Sequence, residues 1–276
     1  MAHDVSQTEW AAIMVLGASV GALGIGIVVY VFGSFLLMLG HAAPRPFGES
    51  LRELFREIFF ASLTQPLLPL YYFVGRRMGG RKDGTPIVLV HGYMQNRVGF
   101  LGLARVLRKR GLGPIYAINY PWFASLSKNA ARLERFVARV CQETGAKAVD
   151  LVCHSMGGLV AMEMMRNEAK SGSFEVRRVV TIATPHAGVA WRGPLIGVGA
   201  GALKRGSKLL EAHAGYKLLV PVLSIYSTHD NVVHPKETSS LVERGGRDFE
   251  VAGASHLAIL FSPIAADQVA SFLAEV

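Results

Sequence analysis

Two cysteines, Cys141 and Cys153, are all the thiols in the 276 residues. One falls in a helical pattern and the other beside a serine, so neither a disulfide framework nor a cysteine-based zinc module can be built from them. The His-Glu-x-x-His spacing is also missing, and the chain is expected to need neither a metal nor another cofactor. Basic stretches interleaved with aromatics are missing too, so nucleic acid is not an expected partner. The most informative absence is charge at the amino end. Residues 11–40 contain no Asp, Glu, Lys or Arg. All 29 Lys and Arg, with 18 of the 20 acidic residues, lie beyond residue 40 and give a net +11 there; the first forty hold only Asp4 and Glu9.

Thirty uncharged residues would form a helix of about 45 Å, against a hydrocarbon core of roughly 30 Å. That is too long for the core of a signal peptide, and no positive charge precedes it. Residues 1–40 are therefore expected to be a short tail and a retained transmembrane helix, with a cleaved leader as the alternative. The 51% hydrophobic content and mean hydropathy of +0.32 fit a membrane protein. Small residues recur every seven positions (Ala12, Ser19, Gly26, Gly33, Gly40), and Gly17 and Gly21 add a G-x-x-x-G, a spacing that lets helices approach in lipid. Self-association through this helix is expected on that ground. Arg45, Arg52, Arg56, Arg76, Arg77, Arg81 and Lys82 follow the span. They predict a single pass with the remaining chain on the cytoplasmic side and in contact with anionic lipid headgroups.

Residues 41–85 form a second region. Ser50 to Glu53 has the spacing of a capping box, and Leu51, Leu54, Phe55, Ile58 and Phe59 then recur at helical spacing. Arg52, Glu53, Arg56 and Glu57 take the other face. Such a helix suits either the headgroup layer or the surface of the following domain. Residues 58–75 are again uncharged, but Pro66 and Pro69 interrupt them. An interfacial or packed segment is expected there; a second span would move the rest of the chain across the membrane. Gly75, Gly79, Gly80 and Gly84 mark residues 76–84 as a linker.

From residue 86 the pattern becomes regular. Strands are expected at 87–90, 115–119, 149–152, 178–182, 222–226 and 249–251, with helical patterns between most of them. Over 127–144, Ala130, Leu133, Val137, Val140 and Cys141 share a face, with Ser127 as cap and Gly145 as stop. The alternation predicts one α/β domain over 86–276, a mostly parallel sheet of about six strands covered by helices on both faces. Residues 189–217 break the alternation with six glycines among apolar and basic residues, as a mobile cap would.

The stretch Leu151-Val152-Cys153-His154-Ser155-Met156-Gly157-Gly158 reads as strand, sharp turn and helix, the context that exposes a serine hydroxyl at the end of a sheet. Cys153 stands where the usual G-x-S-x-G has its first glycine. A helix-capping serine is the alternative reading of the stretch alone. Four further stretches decide between them: Val88-Leu89-Val90-His91-Gly92-Tyr93, Thr184-Pro185-His186-Ala187-Gly188, Asp230-Asn231-Val232-Val233-His234-Pro235 and Gly253-Ala254-Ser255-His256-Leu257. Together, in this order, they resemble the α/β-hydrolase superfamily, and within it the bacterial triacylglycerol lipases and esterases, over about two thirds of the chain.

A serine hydroxyl needs a base to take its proton, and the base needs an acid to fix its tautomer. In the fold that the resemblance implies, the order is serine, acid, histidine, each after a strand. Ser155, Asp230 and His256 meet that order. The resemblance also implies backbone N–H donors to an oxyanion from Tyr93 and Met156, and supporting roles for His91, Gly92, His154, Gly157 and His186. Asp150 and Asp248 lie within strand patterns, and His229 and His234 flank Asp230 rather than facing it. The expected function is a membrane-anchored serine hydrolase of carboxylic esters, with lipid esters as substrate. An acyltransferase or thioesterase on the same residues is the first alternative, and a catalytically dead membrane scaffold is the second.

Overall fold

The computed structural model describes residues 6–40, 45–168, 174–190 and 197–275. Two helices, α1 (Gln7–Leu39) and α2 (Phe47–Thr64), come first. The rest alternates: β1 (Ile87–Val90), α3 (Leu101–Lys109), β2 (Ile115–Ala117), α4 (Leu126–Thr144), β3 (Ala148–His154), α5 (Met156–Glu168), β4 (Glu175–Ile182), α6 (Lys208–Ala214), β5 (Val222–Ser227), β6 (Arg247–Val251) and α7 (Pro263–Ala274). The strands lie in the order β2-β1-β3-β4-β5-β6, and every pairing between them is parallel. Continuous apolar runs such as Ile87-Val88-Leu89-Val90 suit strands covered on both faces. Ile87 and Leu89 join Leu103 and Leu107 of α3 and Val269 and Leu273 of α7 on one side. Val88 and Val90 join Leu133 and Val137 of α4 and Leu159 and Met162 of α5 on the other.

α1 is the one helix among the described residues that is long and apolar enough to cross a membrane. A capping box between Ser6 and Glu9 starts it, and Gly40 ends it. Its carboxyl-terminal part packs on the domain: Ile27, Val31, Phe35 and Met38 share one face and are buried in the cluster of α3 and α7. A methyl group added at Gly17, Gly21, Gly24, Gly26 or Gly33 would meet nothing within 4 Å, so these small positions are open on the monomer.

Several local expectations need correction. α2 begins at Phe47 with Pro46 at its cap and no side-chain capping bond, so Ser50 lies inside the helix and its capping box does not form. The face of α2 is also partly reversed. Glu53 and Glu57 are buried, while Leu51, Phe55 and Phe59 point outward; of the expected apolar row Leu54 and Ile58 pack against the core, joined by Phe60 and Ala61. The carboxylates go inward because donors wait there: Arg52 and Arg56 for Glu53, and backbone amides for Glu57. Beyond Thr64 the chain tightens into a 3-10 turn, Gln65–Tyr72, with Pro69 inside it. Residues 76–84 do not form a free linker. Ala117 N–H donates to Arg76 O, Met78 N–H to Ile115 O and Ile115 N–H to Gly79 O, each at 2.8 Å, so this stretch covers the outer edge of β2.

α4 is capped by Ser125, two residues before the expected Ser127, whose hydroxyl bonds Glu163 on α5 instead. Gly145 ends α4 at φ +70°, the left-handed conformation that favours glycine. Of the stretch expected to be a cap, residues 191–196 lie outside the described residues. The remainder carries a 3-10 turn, Ala200–Leu203, and α6, and buries Val189, Leu203 and Leu210 in the cluster of α4 and α5.

Candidate active site

β3 ends at His154 and α5 begins at Met156, so a single residue makes the corner. That residue, Ser155, has φ +53°, a conformation rarely adopted outside glycine and costing on the order of 1–3 kcal/mol. Glycines make room around it. A methyl group at Gly92 would lie 2.8 Å from Ser155 Cβ, one at Gly157 would lie 2.3 Å from Val90 O, and one at Gly158 would lie 2.2 Å from Thr184 Oγ1. Cys153 sits one turn of the pleat earlier, fully buried in the α4–α5 cluster, with its thiol pushed up by burial. A small apolar side chain is therefore accommodated where the motif usually has glycine.

The carboxyl ends of β5 and β6 bring two more residues to the corner. His256 Nε2 lies 3.0 Å from Ser155 Oγ. His256 Nδ1 lies 2.9 Å from Asp230 Oδ2 and 3.0 Å from Oδ1. Asp230 Oδ1 also accepts the N–H groups of Val232 (2.9 Å) and Val233 (2.7 Å), which holds the carboxylate in place. Burial alone would raise the Asp230 carboxyl; the charge of His256 and these hydrogen bonds outweigh it, and the net shift is downward. For His256 burial favours the neutral ring, but the charge and hydrogen bond of Asp230, with Glu57 adding to them, raise it above its ordinary value. An ionised Asp230 keeps the proton of neutral His256 on Nδ1 and leaves Nε2 free to accept from Ser155.

The other expected site residues surround this line. His91 accepts the N–H of Tyr120 at Nε2 (3.2 Å), so Nδ1 carries the proton and donates to Gly92 O (3.0 Å). Its ring stacks on Tyr120, whose hydroxyl donates to His91 O, and burial lowers its pKa to about 4. His91 thus fixes the loop that carries Gly92 and Tyr93. Tyr93 lies three residues beyond β1 and packs edge-on against Trp122 at 4.9 Å. Met156 opens α5, where first-turn N–H groups have no partner within the helix. His154 packs against His256, with ring centroids 4.9 Å apart. Its Nε2 donates to His256 O (3.1 Å), its Nδ1 lies 2.9 Å from the Gln95 side-chain amide, and burial with the nearby His256 lowers it to about 3. His186 lies 3.1 Å from Thr181 Oγ1 in the loop after β4, away from the reacting line.

The alternatives to Asp230 lie elsewhere. Asp150 makes a two-pronged pair with Arg177 (2.9 and 2.6 Å), and Asp248 accepts from Tyr226 and Leu241. Three supporting residues went unread in the sequence. Gln95 contacts His154, Thr184 Oγ1 donates to Ser155 O (2.9 Å), and Asn231 Oδ1 accepts His256 N–H (3.0 Å). Asn231 and Thr184 lie inside quoted motifs, so adjacency to the candidate residues was the available signal. Among the described residues no group of three or more His, Cys, Asp or Glu side chains converges as metal ligands would.

A strained serine between strand and helix, facing a histidine and a carboxylate supplied by two later strands, defines the hydrolase class of doubly covered parallel-sheet proteins. The sequence profile of the Alpha/beta hydrolase family matches residues 87–237, and the chain belongs to that family. Triacylglycerol lipase 2 of Saccharomyces cerevisiae is 27% identical over 93 residues, 32% of this chain and 28% of that protein. Aspergillus fumigatus lipase B superposes with a TM-score of 0.63 at 15% identity, covering 71% of this chain and 54% of its own. The mature Bacillus licheniformis lipase BlEst2 gives 0.60 at 17% identity, with 70% and 94% covered. The chain thus spans about a quarter of the yeast lipase and about half of the fungal one, and the two superpositions speak to fold alone.

Proposed function

We propose that the protein is a membrane-attached serine hydrolase that cleaves carboxylic esters, with lipid esters as its substrates. What carries this reading is the line Asp230–His256–Ser155, with contacts of 2.9 and 3.0 Å at a serine held at φ +53°. His256 takes the proton of Ser155 as the hydroxyl attacks the ester carbonyl. The tetrahedral oxyanion is met by the backbone N–H groups of Tyr93 and Met156. Collapse of the intermediate expels the alcohol, protonated by His256, and leaves an acyl-enzyme. Water, activated by the same histidine, then releases the acid. The yeast relative is a triacylglycerol lipase, which favours a lipid ester over a small soluble one. A relay with all three members in hydrogen-bond reach speaks against a dead scaffold.

Membrane attachment is read from α1. The side chains described over residues 7–23 are exposed, and twenty helical residues measure about 30 Å, the thickness of a hydrocarbon core. The outward row of α2, Phe47, Leu51, Phe55, Phe59 and Leu63, continues the apolar surface beside the span. Domain limits follow: 1–40 for tail and span, 41–85 for the juxtamembrane segment, 86–276 for the hydrolase, with 189–217 as its cap. The basic excess beyond residue 40 supports a hydrolase held against anionic headgroups on the cytoplasmic side.

The test is labelling by a fluorophosphonate, which reports an activated serine without the true substrate. Membranes carrying wild type are expected to label and those carrying Ser155→Ala are not. Equal labelling of both would overturn the assignment of the nucleophile, and a folded wild type that neither labels nor hydrolyses any ester would overturn the hydrolase reading.

A further inference from the structure

The loop that carries His256 is held from outside the hydrolase domain. Glu57, on α2 and 4% exposed, accepts the N–H of Leu257 with both carboxylate oxygens (3.0 Å each) and that of Ala258 with Oε2 (3.1 Å). These are the two amides that follow His256. One residue earlier on α2, Arg56 donates to the carbonyl of Gly253 (3.3 Å), three residues before His256. Arg56 is itself held by Glu53 (2.9 Å), which also takes Arg52. α2 therefore grips the histidine loop on both flanks. α1 supplies a third tie. Asn231 Nδ2 donates to Ser34 Oγ (2.6 Å), while Asn231 Oδ1 accepts the backbone N–H of His256 (3.0 Å). Each helix of the amino-terminal pair thus contacts the loop of the base, directly or through one residue.

We infer that Glu57 is a positioning residue for His256, so that the juxtamembrane helix is a working part of the hydrolase site and not only an attachment to it. This rests on the hydrolase function proposed above. Glu57 lies before residues 87–237, the part matched by the family profile. Its carboxylate acts in two ways. It fixes the backbone that aims Nε2 at Ser155, and it places a second negative charge near the ring that becomes positive when Ser155 is deprotonated. Burial raises the Glu57 carboxyl above its ordinary value, and His256, the Ser255 hydroxyl and the two loop amides offset this only in part. Three hydrogen bonds accepted from N–H donors suit the ionised form. His256 in the site and Tyr30 on α1 face Glu57, with Glu53, Arg52 and Arg56 on its own helix, and His256 is in turn faced by Asp230 and by the His154 ring at 4.9 Å.

A purely structural cap of the turn Ala258–Phe261 would hold the loop without tuning the base, and the two roles separate by experiment. Full-length protein in detergent or nanodiscs is compared as wild type, Glu57→Gln and Glu57→Ala, with a soluble short-chain ester. Active sites are counted by fluorophosphonate burst. Glu57→Gln keeps an acceptor for the amides but removes the charge. It is expected to lower kcat per active site roughly 10-fold with KM near wild type, and Glu57→Ala roughly 100-fold, as for a displaced catalytic group. In Glu57→Gln the acid limb of the kcat/KM profile should move to lower pH by about half a unit or more, because a nearby anion no longer favours the protonated imidazole. Wild-type kcat per active site with an unmoved acid limb in Glu57→Gln would overturn the inference, even if the melting temperature fell. Hydrogen exchange of residues 253–261 provides a readout that does not depend on turnover. Faster exchange in Glu57→Ala supports the grip of α2, and unchanged exchange overturns it. An inactive wild type with a protected loop would count against the ester hydrolase reading alone.

Discussion

Replacing Asp230 by asparagine is the sharpest test of the relay, because the structure predicts where each hydrogen goes. Asp230 Oδ1 holds the amides of Val232 and Val233, and Oδ2 lies 2.9 Å from His256 Nδ1. Asparagine keeps the two amide bonds by leaving its carbonyl at the Oδ1 position. Its NH2 group then takes the Oδ2 position and donates to Nδ1. The imidazole proton is forced onto Nε2, where it points at Ser155 Oγ across 3.0 Å. A base already protonated on its working nitrogen cannot accept, and the loss expected from the wrong tautomer is about 10,000-fold in kcat, or about 5.4 kcal/mol of transition-state stabilisation. The two amide bonds and the Asn231 contact survive, so the melting temperature should stay near that of wild type. The assay is hydrolysis of a chromogenic short-chain ester by detergent-solubilised protein, corrected for folded material by thermal unfolding. Activity within 10-fold of wild type in a folded variant would refute the assignment of Asp230 and point to another carboxylate, with Glu57 the first to examine.

Other perturbations test separate parts of the structure. Wild-type kcat/KM should fall as pH drops through a value above the ordinary imidazole pKa of about 6.5, since His256 must be neutral to act and Asp230 raises it; an acid limb at or below 6 would contradict the pairing. Gly157→Ala places a methyl group 2.3 Å from Val90 O and 2.6 Å from His91 O, so backbone must move and a loss of at least about 2 kcal/mol is expected, read as a lower melting temperature together with weaker fluorophosphonate labelling. Cys153→Ala keeps the Cβ of a buried position and should cost about 1 kcal/mol with activity nearly unchanged; abolished activity would give the thiol a role that its raised pKa argues against. Removal of residues 1–20 should release the protein from membranes with its fold retained, whereas removal of residues 1–40 also strips Ile27, Val31, Phe35 and Met38 from the core and Ser34 from Asn231, and should leave a poorly folded product; equal melting temperatures of the two truncations would show that α1 does not pack as described.

The parts of the site that could be read from sequence are those whose signals are local. The elbow was legible because a strained serine needs small neighbours, and Gly157 and Gly158 stand where Val90 and Thr184 leave no room for a side chain. Asp230 and His256 were legible from their order and from lying just past strand patterns. The parallel sheet followed from apolar runs such as Ile87-Val88-Leu89-Val90, buried on both faces. Capping was less legible. Ser125 and Ser127 are equally good caps by residue type, and the choice is made by Glu163, which takes the Ser127 hydroxyl from 36 residues away. Glu57 could not be read at all, because its partners are amides 200 and 201 residues further on.

The reversed face of α2 has one physical cause. Helical periodicity divides residues into apolar and polar, and the usual inference sends the apolar row inward because water lies outside. Both premises change here. The inward side offers unpaired backbone N–H groups at the start of the turn after His256, so a carboxylate gains hydrogen bonds there that offset its desolvation. The outward side, under the proposed membrane attachment, faces lipid beside α1, so phenylalanines at 47, 55 and 59 lose nothing by pointing away from the protein. A helix between a bilayer and a catalytic loop is selected on both faces at once, and its polar row then marks the protein interior. In such a segment the buried carboxylates are the residues to examine for function, and the exposed aromatics report the medium that surrounds them.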